Sequence, residues 1–355
     1  MSQVLLPYTI DSRPTRQDLT ASAGLPLVLE TMRAIVPADD YDNLSKELGI
    51  SPAVARRHLE SIVLLIAAGG DVIDDISTLR ADKGLQSLIG FCPSCPTQIK
   101  DFLYGFHRDQ HGKPLSDEQD RALSVAGKAQ IRAESPALLA LERILARTIH
   151  ALQVIGRHTR ATLDVDATLI ESAKKQALRS YEGSRAYQPQ MGWWSEAGIW
   201  VKDQFRDGNV PAEHGILDFA RTSFAALPST ITHRRFRGDS ACYTAELIVW
   251  LDDQGIEFGI SADMSESLTA HVRRLHGGDW MPYTSESGPS LTEERECAEV
   301  FNFQPEWSDR RKRKENLRFI AIRVRSKQSD LFSKDGWKHF AIVTNKTGNA
   351  ADVLR

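Results

Sequence analysis

The chain has 355 residues, 41% of them hydrophobic, a formal charge of −3 and four cysteines. Its length supports a large core and about two domains. No apolar run approaches the roughly 20 residues needed to span a bilayer, and Met1 to Arg13 lacks the basic start and apolar core of a signal peptide. A membrane-spanning chain and a disulfide-built secreted fold are excluded on these grounds, and a cytosolic protein is expected.

Residues 1–25 are polar and without sustained pattern, which predicts a loosely ordered arm. From Pro26 to about Arg157 apolar residues recur at helical spacing, among them Leu27, Leu29, Leu44, Leu48, Leu59, Ile62 and Leu65, so this half is expected to be a helical domain. Ser45 to Arg57 has the cadence of helix, glycine turn, helix, with Gly49 at the turn and Arg56 and Arg57 on the second helix. That cadence fits a DNA-reading helix-turn-helix and an ordinary helical hairpin alike. Cys92-Pro-Ser-Cys95 has no second cysteine pair to complete four zinc ligands, so a zinc finger is rejected. Ser135-Pro136 opens a long helix to about Ile155.

The pattern then changes period. Residues 162–170 alternate apolar Leu163, Val165, Ala167 and Leu169 with Thr162, Asp164, Asp166 and Thr168, which predicts a half-buried strand with both aspartates on one face. Strands near 188–195 and 199–205 follow, joined by a turn at Glu196 to Gly198, then a helix over 213–227 and a strand over 232–237. A helix over 241–253 and a strand over 256–261 complete the series, and Asp239 falls at the strand-to-helix junction, where it could equally be a helix cap. Residues 264–316 are irregular and read as an insertion, followed by strands at 317–324 and 340–345. The fold class expected is mixed α/β: a helical N-terminal domain over 26–157, a core over 158–263 with the strand and helix order of RNase H, the insertion, and C-terminal strands over 317–355.

Charge is unevenly distributed. Residues 301–355 hold 13 Lys and Arg against 6 Asp and Glu. The run Arg310, Arg311, Lys312, Arg313 and Lys314 is the footprint expected of phosphate contacts, or else a solvated loop. Trp193 and Trp194 are candidates for base stacking, with core packing the default because neighbours on a strand point oppositely. Asp207, in an Arg-Asp-Gly-Asn stretch, is first a turn residue.

Several stretches occur together and in one order: Leu65-Ile-Ala-Ala-Gly-Gly-Asp-Val-Ile-Asp-Asp, Thr162 to Glu171, Tyr181-Glu-Gly-Ser-Arg-Ala-Tyr-Gln-Pro, Phe205-Arg-Asp-Gly-Asn-Val and Arg237-Gly-Asp-Ser-Ala. In these the chain, from about Leu65 onward, resembles the DDE transposases of bacterial insertion sequences, in the branch whose RNase H-like core carries a β-rich insertion. The resemblance implies that Asp166, followed two residues later by Thr168, is the first catalytic aspartate and Asp239 the second. Residue geometry alone leaves Asp164 as a rival to Asp166. It further implies two Mg²⁺ or Mn²⁺ ions, DNA as partner at transposon ends and target, action as a homo-oligomer on DNA, and a place at the bacterial nucleoid.

One departure accompanies the resemblance. In such transposases a helix carrying the third catalytic acid, a Glu, follows the stretch that looks like Phe340 to Asn345, whereas no Glu lies between Val343 and Arg355. A truncated transposase, or part of one, is therefore expected, with a DNA-binding product that does not cleave as the alternative. Glu299 and Glu315 are the acids that could complete the site instead.

Overall fold

The computed structural model describes residues 19–116, 129, 131–284, 293–312, 317–326 and 336–354. The chain forms two compact units, one of residues 1–115 and 134–147, the other of 116–133 and 148–355.

The first unit is helical: α1 (Leu25–Ile35), α2 (Ala38–Leu48), α3 (Pro52–Ala67), α4 (Ile76–Ala81), α5 (Lys83–Ile89), α6 (Pro96–Tyr104) and the first part of α7 (Pro136–Gly156). Proline stands at the first turn of α1, α3 and α6, where its missing N–H costs nothing. Leu29, Leu64, Ile76, Leu85 and Ile99 make one buried cluster, and Tyr41, Leu44, Leu48, Phe102 and Ala140 another. Gly49 ends α2 in the left-handed region at φ 70°, and α3 begins three residues later, so the helix, turn, helix cadence is real at the backbone level. On α3, Arg56 donates to Glu60 at 2.8 Å and lies over Tyr41, while Arg57 is exposed. Cys92 and Cys95 are free thiols.

The second unit is built on a nine-stranded mixed sheet. Its strands are β1 (Arg160–Ala167), β5 (Gln190–Trp194), β6 (Ile199–Gln204), β7 (His233–Gly238), β8 (Glu257–Ser261), β9 (Met281–Pro282), β10 (Glu293–Val300), β11 (Arg318–Ser326) and β12 (Lys338–Thr344). The short β2 (Ile170–Glu171), β3 (Leu178–Arg179) and β4 (Arg185–Tyr187) form a separate three-stranded sheet. The order is β6-β5-β1-β7-β8-β12-β11-β10-β9. Within it, β1, β7 and β8 run parallel, and β5 and β6 are antiparallel to their neighbours. The first five strands thus have the RNase H-like arrangement, with the first and fourth strands of that core side by side.

Helices α8 (Ile216–Ala226) and α9 (Ala245–Asp253) pack on the face that carries Leu163, Val165, Phe236, Phe258 and Ile260, all buried. Gly192 lets β5 approach α8, because a Cβ there would meet Ser223 Oγ at 3.0 Å. On the opposite face Asp164, Asp166, Arg235, Arg237, Glu257 and Ser261 are half-buried or exposed.

Three differences from the sequence reading have physical causes. The expected strand over 162–170 divides, because Thr168 N–H leaves the β1 ladder to donate to Pro189 O and Ile170 joins the small sheet opposite Tyr187. The helix expected from Ala241 starts at Ala245: Asp239 Oδ1 first accepts from Ala241 N–H, closing a single tight turn over Ser240–Cys242, and Thr244 Oγ1 then caps α9 by accepting from Leu247 N–H. Residues 264–316 supply α10 (Glu266–Arg273), β9 and β10, and β10 pairs along its whole length with β11, so these strands are the β-rich extension of the core sheet itself. Strand β10 lies within the stretch that reads as irregular because it carries many charges. Glu294, Glu296 and Glu299 are paired with Arg325, Arg323 and Arg318. The last element, α11 (Ala350–Val353), sets Ala350 and Val353 against Cys297 and Ile320.

Candidate active site

The parallel ladder between β1 and β7 ends on the pair Val165 and Gly238, with Asp164 opposite Arg237 one step earlier. The next residues in each chain are Asp166 and Asp239. Each follows the last ladder pair, at the carboxyl ends of adjacent parallel strands. Both residues are exposed. Both also bear on one buried group below them: the Cys242 thiol is pushed up to about 12 by burial and then by the charges of Asp239 and Asp166.

The sequence around Asp239 is shaped by that thiol. A Cβ at Gly238 would lie 2.5 Å from Cys242 Sγ and 2.7 Å from its Cβ, so only glycine allows the turn to fold back under the strand end. Asp239 uses Oδ1 to cap the turn at 3.1 Å from Ala241 N, which fixes its rotamer, and its Oδ2 takes no bond among the described residues. Asp166 is exposed and makes no hydrogen bond or ion pair among the described residues. The capping reading and the site reading of Asp239 are therefore compatible.

Asp164 is differently placed. Arg237 holds it with both ends of the guanidinium, Nε to Oδ1 at 2.5 Å and Nη2 to Oδ2 at 2.8 Å, and Ser195 Oγ donates to Oδ2 as well. Both oxygens of Asp164 are thus engaged in an ion pair between β1 and β7, and its register partner lies two residues short of Asp239. Arg237 also donates to Ser195 Oγ at 3.1 Å. Beside it, Arg235 donates to Glu257 at 2.7 Å. These two arginines on the open face were missed in the sequence. Their period-two spacing in His-Arg-Arg-Phe-Arg, next to a strand with alternating aspartates, is the signal that carried them.

Of the basic run, Arg310, Arg311 and Lys312 lie within the described residues. Arg311 is buried, 6% exposed, and its Nη1 donates at 2.8 Å to Asp252 Oδ2, itself 2% exposed, so it cannot also contact phosphate. Arg310 and Lys312 are exposed, the latter with its N–H on Asp253 Oδ1. Arg313 and Lys314 lie outside the described residues, as does Glu315. Glu299 is held by Arg318 at 2.8 and 2.9 Å. Trp194 is core, its Nε1–H on Arg160 O at 3.2 Å, while Trp193 faces the other side against Trp200. Asp207 is buried and paired with Arg132 at 3.3 Å. Beside it the fully buried Arg206 donates to His214 O, and burial lowers its guanidinium to about 10.

Oxygen donors of two adjacent carboxylates suit a hard divalent cation such as Mg²⁺ or Mn²⁺. Among the described residues no group of three or more His, Cys, Asp or Glu side chains gathers so as to hold a metal. No helix among them is long and apolar enough to cross a membrane.

A comparison with curated proteins finds no match. The family model described as "Transposase DDE domain group 1" matches residues 54–321, which include α3 from its third residue, the whole β1 to β8 core, Asp166 and Asp239. The aspartate pair at the ends of adjacent parallel strands lies within that match, and the chain belongs to the family of DDE transposase domains, group 1.

Proposed function

We propose that the chain is the catalytic part of an insertion-sequence transposase, cleaving DNA at the element's ends and joining the released 3′-hydroxyl to target DNA as a homo-oligomer. The observation that supports this is that Asp166 and Asp239 each follow the last ladder pair, Val165 and Gly238, at the ends of neighbouring parallel strands inside the matched family region. These two residues would hold Mg²⁺ or Mn²⁺; such ions, when bound, activate the attacking oxygen and stabilise the leaving oxygen of an in-line displacement. The protein's own part is positional. Asp239 is fixed by its cap to Ala241, Asp166 is presented by β1, and the Asp164–Arg237 pair cancels one negative charge so that the cation-attracting field belongs to Asp166 and Asp239. The domain division given by the sequence reading, with 26–157 as a possible DNA-binding domain, belongs to the same proposal. The exposed Arg57 on α3 and the exposed Arg310 and Lys312 are the cations that support it.

A second reading, DNA binding without cleavage, is favoured by the lack of a three-acid group among the described residues. One set of experiments separates the two. Thermal unfolding with and without Mn²⁺ should show stabilisation by mass action, about 2.7 kcal/mol at a hundredfold excess over Kd, that disappears in Asp166→Asn and Asp239→Asn. Nicking of end-bearing DNA that needs Mn²⁺ and is lost in Asp239→Asn supports the enzyme. DNA binding with metal stabilisation and no nicking supports the second reading, and metal stabilisation unaffected by either variant removes the site assignment.

A further inference from the structure

Beyond the carboxylates, the open face of the sheet carries one large apolar feature. Trp193 on β5 is the register partner of Asp164 on one side and of Trp200 on the other. The two indoles meet edge to face with centroids 4.7 Å apart, and Trp200, on the edge strand β6, is 42% exposed. The register between β5 and β6 shifts between Gly192 and Trp193, with Val201 the extra residue on β6, so that Trp200 falls opposite Trp193. Nothing about this pair resembles core. Trp194, the next residue, is the core tryptophan, fully buried and hydrogen-bonded, whereas the side chains around Trp193 on its own face are Asp164, Ser195 and Arg237. An exposed indole invites an occupant that is flat and apolar on its faces.

We propose that Trp193 and Trp200 form a stacking platform for an unpaired nucleobase of the DNA strand engaged at Asp166 and Asp239. The inference rests on the proposed function and adds to it a subsite and the state of the substrate there. Asp166 pairs with Met191, two residues from Trp193 along β5, and Trp200 lies one strand further out. Two strand spacings across and two residues along make about 12 Å from Asp166 to Trp200. That span is roughly three to four steps at the 3.4 Å rise of a DNA strand. Stacking needs no particular base, since every base presents a π face.

The test uses the 355-residue chain with a fluorescently labelled oligonucleotide as a single strand and as the matching duplex. Trp200→Ala should weaken single-strand binding roughly 5- to 100-fold, the range expected for one lost base-aromatic stack. Duplex binding should stay within about twofold, and Trp200→Phe should restore most of the lost affinity. An abasic site walked along the oligonucleotide should, at one position, cost the wild type as much as Trp200→Ala does and cost the variant nothing more. Single-strand affinity unchanged in Trp200→Ala, or equal weakening on both DNA forms, overturns the platform while leaving the functional reading in place. A wild type that binds neither form overturns the functional reading and the platform with it.

Discussion

Gly238→Ala tests whether the site's geometry depends on close packing under the strand end. The added Cβ would stand 2.5 Å from Cys242 Sγ, 2.7 Å from Cys242 Cβ and 3.1 Å from the Phe236 ring. Carbon contacts settle at about 3.5–4.0 Å, so something must move by about 1 Å. Cys242 and Phe236 are both buried, and neither is the free end of a flexible chain. Overpacking of this kind costs about 1–3 kcal/mol. At about 2–4 °C per kcal/mol for a unit of this size, the melting temperature should fall by roughly 2–12 °C. Because Asp239 is the next residue, the shift should also weaken stabilisation by Mn²⁺. Cys242→Ala alone removes a buried sulfur, worth about 1 kcal/mol. It also takes away the nearest clash, so the double variant should be less destabilised than the sum of the singles by at least about 0.5 kcal/mol. Thermal unfolding of the four proteins, each with and without Mn²⁺, measures the cycle. A wild-type melting temperature in Gly238→Ala, or strict additivity, would refute the packing argument.

Three further outcomes follow from buried charges and thiols. Arg311→Ala should destabilise the second unit by about 3–5 kcal/mol, the range for removing one partner of a buried ion pair, because its guanidinium meets the buried Asp252 carboxylate at 2.8 Å, whereas Arg310→Ala should stay within about 0.5 kcal/mol; urea unfolding of both variants distinguishes them. Burial alone would raise the Glu60 carboxyl, but hydrogen bonds from Arg33 and Arg56 outweigh it and hold the group below the usual 4.5. The folded state then binds fewer protons, so this stabilisation is present above pH 4.5 and lost as pH falls through the folded value; Glu60→Gln should flatten acid unfolding of the helical unit in that window, and an unchanged acid limb would discount the pair. Burial pushes Cys242 up to about 12 and Cys297 up to about 11, so at pH 8 a disulfide reagent should modify the exposed Cys92 in the native chain and reach Cys242 and Cys297 only after denaturation, as counted by mass spectrometry.

What was legible in the sequence divides along the range of the interactions that decide it. The five strands of the core, α8 and the pairing of β1 with β7 follow from local period and from the order of elements, and these are enough to bring Asp166 and Asp239 together. The role of Asp164 was not legible, because on its own strand it is indistinguishable from Asp166. It is separated only by what stands opposite, Arg237 against Asp164 and Asp239 beside Asp166. The burial of Arg311 is hidden for the same reason. A five-residue basic run has uniform character along the chain, but the partner that turns one member inward, Asp252, is 59 positions away on α9. Strand β10 hid behind its glutamates, which look like loop charges until Arg318, Arg323 and Arg325 are laid against them.

The same reasoning says why the site should tolerate some changes and not others. A carboxylate pair on an open sheet face repels itself, and the protein offsets this with an ion pair one pleat below rather than with a cation between the two aspartates. Arg237 therefore governs the site indirectly. Replacing it with Lys keeps the charge but loses the two-ended hold on Asp164, freeing Asp164 to compete for the cation that Asp166 and Asp239 would share. Replacing Asp164 with Asn keeps the hydrogen-bonding shape and frees Arg237 instead, raising positive charge beside the pair. If the ion pair serves as an electrostatic floor, Arg237→Lys should tighten Mn²⁺ binding and Asp164→Asn should weaken it, both read by calorimetric titration. Shifts in the same direction for both variants would mean that the pair acts only as a strap between β1 and β7, with no bearing on the charge of the site.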